Sequence, residues 1–416
     1  MSIVIEAVAK TNAAHCTPNL RRATRAAILL LMTIISMPGA AKTHSAARLD
    51  GEIAKAMTTT HARGLAIAVV DAGKVVQVRS FGARNAAGQP LQTDTVMYGA
   101  SLTKAVFAYM VMQLVDEGKL LLDRPLADYL DRPLPDYRNT AHYAPWADLA
   151  GDTRWRKITA RNVLTHSTGF ANFAFLEPDG KLRIHFDPGS RYSYSGAGVI
   201  LLQFVIERGL GLDVGALMQR RVFDRFDMKR TSMRWRADFA KNLADGWNID
   251  GGTVAHDARS HVRAAGSMDT TIADIARFTA GLIRGDGLST KSHLQMFKPQ
   301  LPITSATQFP TLQTPLPENR RRVDLAAGLG VVTFDGPQGP GFMKGGHNES
   351  TGNTLVCIER TQRCVVILSN DVRAEAAFPH LVAFVLGNTG APWRWEYGDM
   401  KFWEFATNAV RHGTRW

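Results

Sequence analysis

Apolar and polar positions along the 416-residue chain fall into strand-like runs at both ends and helix-like runs in the middle. Near the front, Gly64-Leu65-Ala66-Ile67-Ala68-Val69-Val70 and Lys74-Val75-Val76-Gln77-Val78-Arg79 flank Asp71-Ala72-Gly73, which predicts a hairpin. Near the back, 328–334, 353–359 and 363–369 read as strands in the same way. Between them, apolar runs at 102–117, 197–208 and 271–283 predict helices, and a last helix is expected over 374–386. Strands from 42–93 and 325–386 thus build one mainly antiparallel sheet, and 94–324 forms a helical lobe. This is a two-lobed α+β (α/β) architecture, and a cleft between such lobes is a usual place for a site. Two proline-bearing stretches, 131–155 and 299–319, read as loop.

The two ends carry different signals. Arg21, Arg22 and Arg25 precede an apolar run over 26–37, followed by Pro38 and Gly39-Ala40-Ala41. A basic region, a short apolar core and a small-residue end make a secretory signal, expected to be removed close to Ala41. The run is short for the ~30 Å hydrocarbon layer, so a transmembrane anchor is the weaker reading. The Arg21-Arg22 pair also suits twin-arginine export. A soluble periplasmic or secreted product is expected, with no membrane span once the signal is removed. At the other end, 387–416 holds Trp393, Trp395, Tyr397, Phe402, Trp403, Phe405 and Trp416. So aromatic a segment is expected to pack back on the body as a strap, with a partner surface as the alternative.

Export changes what the cysteines mean. Cys16 lies in the signal, and Cys357 and Cys364 sit in two β-rich runs. With a turn at Arg360-Thr361 these two thiols face each other across a hairpin, either bridged or as two buried thiols. Three cysteines are too few for a disulfide scaffold, and no Cys/His spacing resembles a zinc site. No metal or organic cofactor is implied. The hydrophobic share of 45% and charged share of 21% exclude disorder and coiled coil as the main architecture. The net charge of +12 is spread out, and the densest cluster, Arg320-Arg321-Arg322, has no interleaved aromatics. It reads as a solvated loop face rather than a nucleic-acid patch.

Three short segments carry candidate chemistry. Ser101-Leu102-Thr103-Lys104 opens the first long helix. Positions i and i+3 share a helix face, so Lys104 can lie beside the Ser101 hydroxyl. The bland reading of Ser101 is a helix N-cap. The following helix is apolar nearly all round and must be buried, and a lysine buried at its start tends to the neutral form and can act as a base. Tyr194-Ser195-Gly196 stands at a loop-helix junction, where a tyrosine is more often packing than catalysis. Lys344-Gly345-Gly346-His347 enters the back half of the sheet, where glycines let a ligand approach the backbone.

In this order the three segments resemble Ser-x-x-Lys, Tyr-x-Asn and Lys-Thr-Gly of the serine β-lactamase and penicillin-binding family. The likeness is to class C β-lactamases, D-alanyl-D-alanine carboxypeptidases and their esterase relatives. It extends to Ile158-Thr159-Ala160-Arg161-Asn162-Val163-Leu164-Thr165-His166-Ser167-Thr168-Gly169 and to Phe186-Asp187-Pro188-Gly189-Ser190 leading to Tyr194-Ser195. Ala264-Ala265-Gly266-Ser267-Met268 followed by Asp274-Ile275-Ala276-Arg277-Phe278 is also similar, and the whole resemblance covers roughly 49–386.

The resemblance implies a β-lactamase-like two-lobed fold and a serine hydrolase with Ser101 as acylated nucleophile. Lys104 and Tyr194 would be its proton-transfer pair, and Lys344, Gly346 and His347 its substrate-binding residues. Lys344 would support a substrate carboxylate or the proton network. The backbone N–H groups of Ser101 and His347 would form the oxyanion hole. Two departures stand out: Gly196 replaces the asparagine and Gly345 the threonine of the family pattern. Both remove groups that recognise β-lactams and acyl-D-alanyl peptides. An esterase-like activity on a small-molecule or peptide acyl substrate is therefore expected over a dedicated β-lactamase. The substitutions Gly196→Asn and Gly345→Thr are expected to recover β-lactam contacts. The alternatives are a carboxypeptidase or β-lactamase proper, or a non-catalytic relative that binds cell-wall peptide or a partner protein.

Overall fold

The central sheet is covered on both faces, which is why its strands read as unbroken apolar runs. The computed structural model describes residues 45–401 apart from 139 and 141. The expected signal over 1–41 and the aromatic residues from Phe402 onward lie outside the described residues. Eight strands make the sheet: β1 (Gly64–Asp71), β2 (Lys74–Gly82), β3 (Leu301–Pro302), β4 (Leu325–Ala327), β5 (Val332–Gly336), β6 (Gly339–His347), β7 (Gly352–Ile358) and β8 (Arg363–Ser369). Their spatial order is β2-β1-β8-β7-β6-β5-β4-β3, and every pairing is antiparallel. The front and back of the chain meet at β1 and β8, with Leu65 opposite Ser369 and Val70 opposite Cys364.

The helices that matter for the site are α1 (Ala46–Thr60), α2 (Leu102–Asp116), α3 (Gly196–Arg208), α4 (Ile272–Arg284), α5 (Phe378–Leu386) and α6 (Trp393–Tyr397). Alternate residues of β1 feed two different cores. Leu65, Ile67 and Val69 pack with Leu49 and Ile53 of α1 and Leu381 and Val382 of α5. Ala66, Ala68 and Val70 join the cluster that holds α2 and Ile275 and Phe278 of α4. A one-residue slip of β1 would exchange large for small side chains on both faces, so packing fixes the register.

The sequence expectations hold for the β1–β2 hairpin, for β7 and β8, and for α2, α3 and α4 within a residue or two. Of the expected strand over 328–334 only 332–334 is strand, in β5; 328–331 is the turn that joins it to β4, in which Gly328 N–H donates to Val331 O at 3.0 Å. Gly330 has φ 83°, and a Cβ there would lie 2.3 Å from the Ala108 Cβ of α2. Over the expected last helix, Val372–Ala377 is a 3-10 turn, and the α-helix starts only at Phe378, with Pro379 in its first turn. Helix α1 lies outside the expected elements. Its buried Leu49, Ile53 and Ala56 form too narrow a stripe to stand out in the sequence. The sheet edge β3 comes from the 299–319 stretch that reads as loop.

Arg321 and Arg322 pair with Glu318 and Asp324 on an exposed loop. Trp393 and Trp395 pack back against the α1 and α5 side of the sheet, as a strap does. Among the described residues no helix is long and apolar enough to cross a membrane. Cys357 and Cys364 are opposite each other in β7 and β8 and are joined by a disulfide, their Cα atoms 4.1 Å apart. Ile358 stands opposite Arg363, as a turn centred on Arg360-Thr361 requires.

A crosslink closing so short a loop, seven positions apart, stabilises by ~2–3 kcal/mol through loss of unfolded-chain entropy. The double variant Cys357→Ala, Cys364→Ala is expected to lose about that much in urea unfolding. A stability equal to the parent's under non-reducing conditions would contradict the crosslink's contribution.

Candidate active site

Ser101 sits on a tightly held turn. Ala100 before it has φ 46°, a left-handed conformation that non-glycine residues rarely adopt. The turn is anchored by Gly99 N–H donating to Met268 O at 2.9 Å and by the short ladder of Met97–Tyr98 with Asp269–Thr270. Ser101 occupies the N-cap position of α2, yet its side chain makes no capping bond. Its Oγ instead accepts hydrogen bonds from Lys104 Nζ and from Tyr194 OH, both at 2.8 Å. That observation separates a chemical role from the capping alternative. The Ser101 N–H has no acceptor among the described residues.

Lys104 is 3% exposed, because α2 is buried on all sides. Burial first, and the charge of Lys344 second, push its ammonium well below the usual lysine range. The neutral amine is thereby favoured over the ammonium, and Nζ also donates to Ala265 O at 2.5 Å. Tyr194 is placed by the start of α3, where Ser195 Oγ caps the Gly198 N–H at 3.0 Å and donates to Ala171 O at 2.9 Å. Burial raises the Tyr194 hydroxyl, so it stays protonated and donates. Lys104 and Lys344 lie 4.9 and 5.3 Å from the Tyr194 ring centre. The buried His166 ring lies 4.4 Å from the Tyr194 ring, and its Nδ1 accepts the Ser195 N–H at 3.2 Å. Burial above all, with the charge of Lys344 also acting, holds His166 well below the usual imidazole range, so it is neutral.

Strand β6 supplies the opposite wall. Lys344 Nζ donates to Gly345 O at 2.6 Å, and burial lowers its ammonium to about 8, opposed by the charge of Glu396. A Cβ on Gly346 would come within 2.8 Å of Leu102 N and 3.0 Å of Ser101 N. Glycine at this position is therefore what lets β6 run against the start of α2. His347 follows, 3.4 Å from the Glu375 carboxylate, whose interaction raises the imidazole above its usual range. Ser101, Lys104, Tyr194, Lys344, Gly346 and His347, all six residues picked from sequence, line one cleft of about 650 Å³.

The two glycine departures are not vacancies. A Cβ on Gly196 would lie 2.4 Å from the Phe173 ring, and the Gly196 N–H donates to Asn172 Oδ1 at 2.8 Å. A Cβ on Gly345 would lie 2.1 Å from Glu396 Oε1. Asparagine at 196 and threonine at 345, expected to recover lost contacts, would first have to displace the Phe173 ring and the Glu396 carboxylate. His166, Asn172, Phe173 and Glu396 were not singled out from sequence. His166 lies within the Thr165-His166-Ser167-Thr168-Gly169 segment and Asn172 and Phe173 just after it, so that segment held a usable signal, whereas Glu396 belongs to no motif. Among the described residues no group of three or more His, Cys, Asp or Glu is placed to hold a metal ion.

The family model described as Beta-lactamase matches residues 49–385. The chain belongs to the beta-lactamase family. Lovastatin esterase of Penicillium rubens is 26% identical over 310 residues, which is 64% of this chain and 77% of that one. Esterase EstB of Burkholderia gladioli is 28% identical over 211 residues, 44% of this chain and only 50% of that one. The D-alanine carboxypeptidase AmpC from Burkholderia cenocepacia superposes with a TM-score of 0.64 at 18% identity, covering 82% of this chain and 99% of that one. That likeness shows the fold, a mixed α/β structure with a large antiparallel sheet. Family membership makes this chain a serine hydrolase.

The lysine pair has a testable sign. Lys104 works as a base only when neutral, and its lowered range favours that form. The Lys344 charge contributes to that lowering, and is present below about pH 8 and lost above it. Lys344→Gln is therefore expected to move the acid limb of the Ser101 labelling rate to higher pH. The measurement is the labelling rate with a neutral fluorophosphonate between pH 5 and 9. A limb that stays put or moves down would break the proposed coupling.

Proposed function

We propose that this serine hydrolase is an exported, esterase-like enzyme that works through an acyl-Ser101 intermediate and prefers neutral acyl donors to β-lactams. The observation that carries the reading is Ser101 Oγ held at 2.8 Å by both Lys104 and Tyr194. An alcohol is a poor nucleophile until a neighbour takes its proton. Neutral Lys104 accepts that proton as Oγ attacks the acyl carbon. The Ser101 and His347 N–H groups receive the tetrahedral oxyanion, each such donor worth ~3–4 kcal/mol. The tetrahedral adduct collapses as Tyr194 gives its proton to the departing alkoxide, and the Lys104 ammonium restores the tyrosine proton. Water then takes the alcohol's part in reverse and frees the acid. A binding-only role has no use for a desolvated amine aimed at a serine.

Donor preference rests on the filled spaces. Losing one hydrogen bond to an uncharged group costs ~0.5–1.5 kcal/mol and one to a charged group ~1.5–3. Together the two missing side-chain contacts weaken β-lactam transition-state binding by roughly 2–4 kcal/mol, or ~30- to 1000-fold. A short ester needs neither. Phe173 instead lines the cleft and stacks at 5.3 Å on Phe175, which is 75% exposed beside the exposed Leu176. This apolar lip suits an uncharged acyl or alcohol group. The esterase names of two relatives support the same direction. Export is supported by the 1–41 pattern and by the disulfide, since such bonds persist in oxidising compartments.

Ser101→Ala is expected to abolish both turnover and fluorophosphonate labelling, and Tyr194→Phe to lower the rate by ~10²–10⁴. The parent should hydrolyse p-nitrophenyl butyrate with a higher kcat/KM than nitrocefin. Nitrocefin turnover exceeding that of the ester would overturn the preference.

Intact-mass analysis of protein from the periplasm or medium of a bacterial host should give a chain beginning near Lys42. A full-length cytoplasmic product would refute export.

A further inference from the structure

The family match ends at residue 385, but the cleft does not. Helix α6 lies beyond it and brings Glu396 into the cleft wall, where this side chain is 5% exposed. Aromatic anchors hold α6 in place. Trp393 and Trp395 are buried, the Trp395 ring lies 5.6 Å from that of Tyr192, and its Nε1 donates to Ser305 Oγ at 3.1 Å. From the other side, Gln308 N–H donates to Trp395 O at 2.7 Å. Glu396 Oε1 presses on Gly345, the same residue whose carbonyl accepts the Lys344 ammonium at 2.6 Å. Lys344 and Glu396 form no direct ion pair, yet Glu396 is the charge that supports the ammonium of Lys344. In the family pattern, this is the side where a lysine and a threonine hydroxyl meet a substrate carboxylate.

We propose that Glu396 is a charge-selecting residue of the cleft: its carboxylate stands beside Lys344 where a substrate carboxylate would go, so that donors bearing one there are rejected and neutral donors accepted. The inference rests on the acyl-enzyme reading of Ser101 and deepens it. Two negative groups on one side of a desolvated cleft repel far more strongly than in water. The occupied volume adds steric exclusion, because an oxygen already lies where a side chain on residue 345 would begin. The lining also holds Asp257, Arg263 and Arg259, the last engaged with Asp269 at 3.1 Å. The selection therefore acts where Glu396 meets Gly345 and not through the net charge of the lining.

The test compares second-order labelling rates of Ser101 by a neutral alkyl fluorophosphonate and by a fluorescent penicillin, which carries a carboxylate. It uses the full mature chain and its Glu396→Gln and Glu396→Asp variants. The penicillin-to-fluorophosphonate rate ratio is expected to rise at least tenfold in Glu396→Gln and to stay within threefold of the parent in Glu396→Asp. Glutamine keeps the shape and removes the charge, so loose packing alone would not produce this split. An unchanged ratio in Glu396→Gln, or an equal rise in both variants, would overturn the charge selection. Fluorophosphonate labelling without turnover of p-nitrophenyl butyrate would sink the esterase reading while leaving this ratio fully readable. Absence of labelling by either probe would overturn both.

Discussion

A lysine held inside a helix that is apolar on every side is the constraint from which the site follows. Thirteen consecutive residues of α2, from Leu102 to Leu114, are buried, and Lys104 is among them. Keeping an ammonium there would cost several kcal/mol of lost hydration, so the amine is favoured instead. Its hydrogens still need acceptors, and they find Ser101 Oγ and Ala265 O. His166 and Tyr194 are uncharged for the same reason. The result is a set of polar groups that can pass one proton among themselves with little reorganisation. The helix packing that stabilises the lobe thus also generates the base.

The second requirement is close approach of two backbones. Strand β6 lies against the first turn of α2 only because residue 346 has no side chain. That contact brings the sheet lobe to the Ser101 turn, beside the strained Ala100. The nucleophile, its N–H and the β6 wall therefore depend on long-range order in the sheet. The β1–β8 pairing that joins the two ends of the chain supports it from behind.

Much of this was legible in the sequence. The hairpin, the disulfide strands and the three long helices follow from periodicity, and the three motif segments converge on one cleft as their order implies. What escaped reading did so for physical reasons. Strand β6 carries Gly339, Gly341, Gly345 and Gly346, which erase the apolar alternation that marks a strand. The turn between β4 and β5 depends on how Gly330 meets Ala108, a contact that no local pattern encodes. Gly196 and Gly345 read as lost functions, whereas the structure shows other residues standing in the space. A missing side chain says nothing by itself about what fills its place.

That last point governs how the tail and the family fold depend on one another. Gly345 and Glu396 are 51 positions apart, yet their side-chain spaces overlap. A threonine at 345 would collide with the Glu396 carboxylate, which lies 2.1 Å from where its Cβ would sit. Removing Glu396 alone would leave a buried ammonium with less electrostatic support and a gap beside it. Exchanges at two sites in contact do not add, so neither step alone measures what the pair does. The aromatic strap makes the coupling possible, because Trp393 and Trp395 bury enough surface to hold a short helix where the carboxylate must be. An extension outside the family fold can thus set the charge of a cleft whose catalytic groups all lie within that fold.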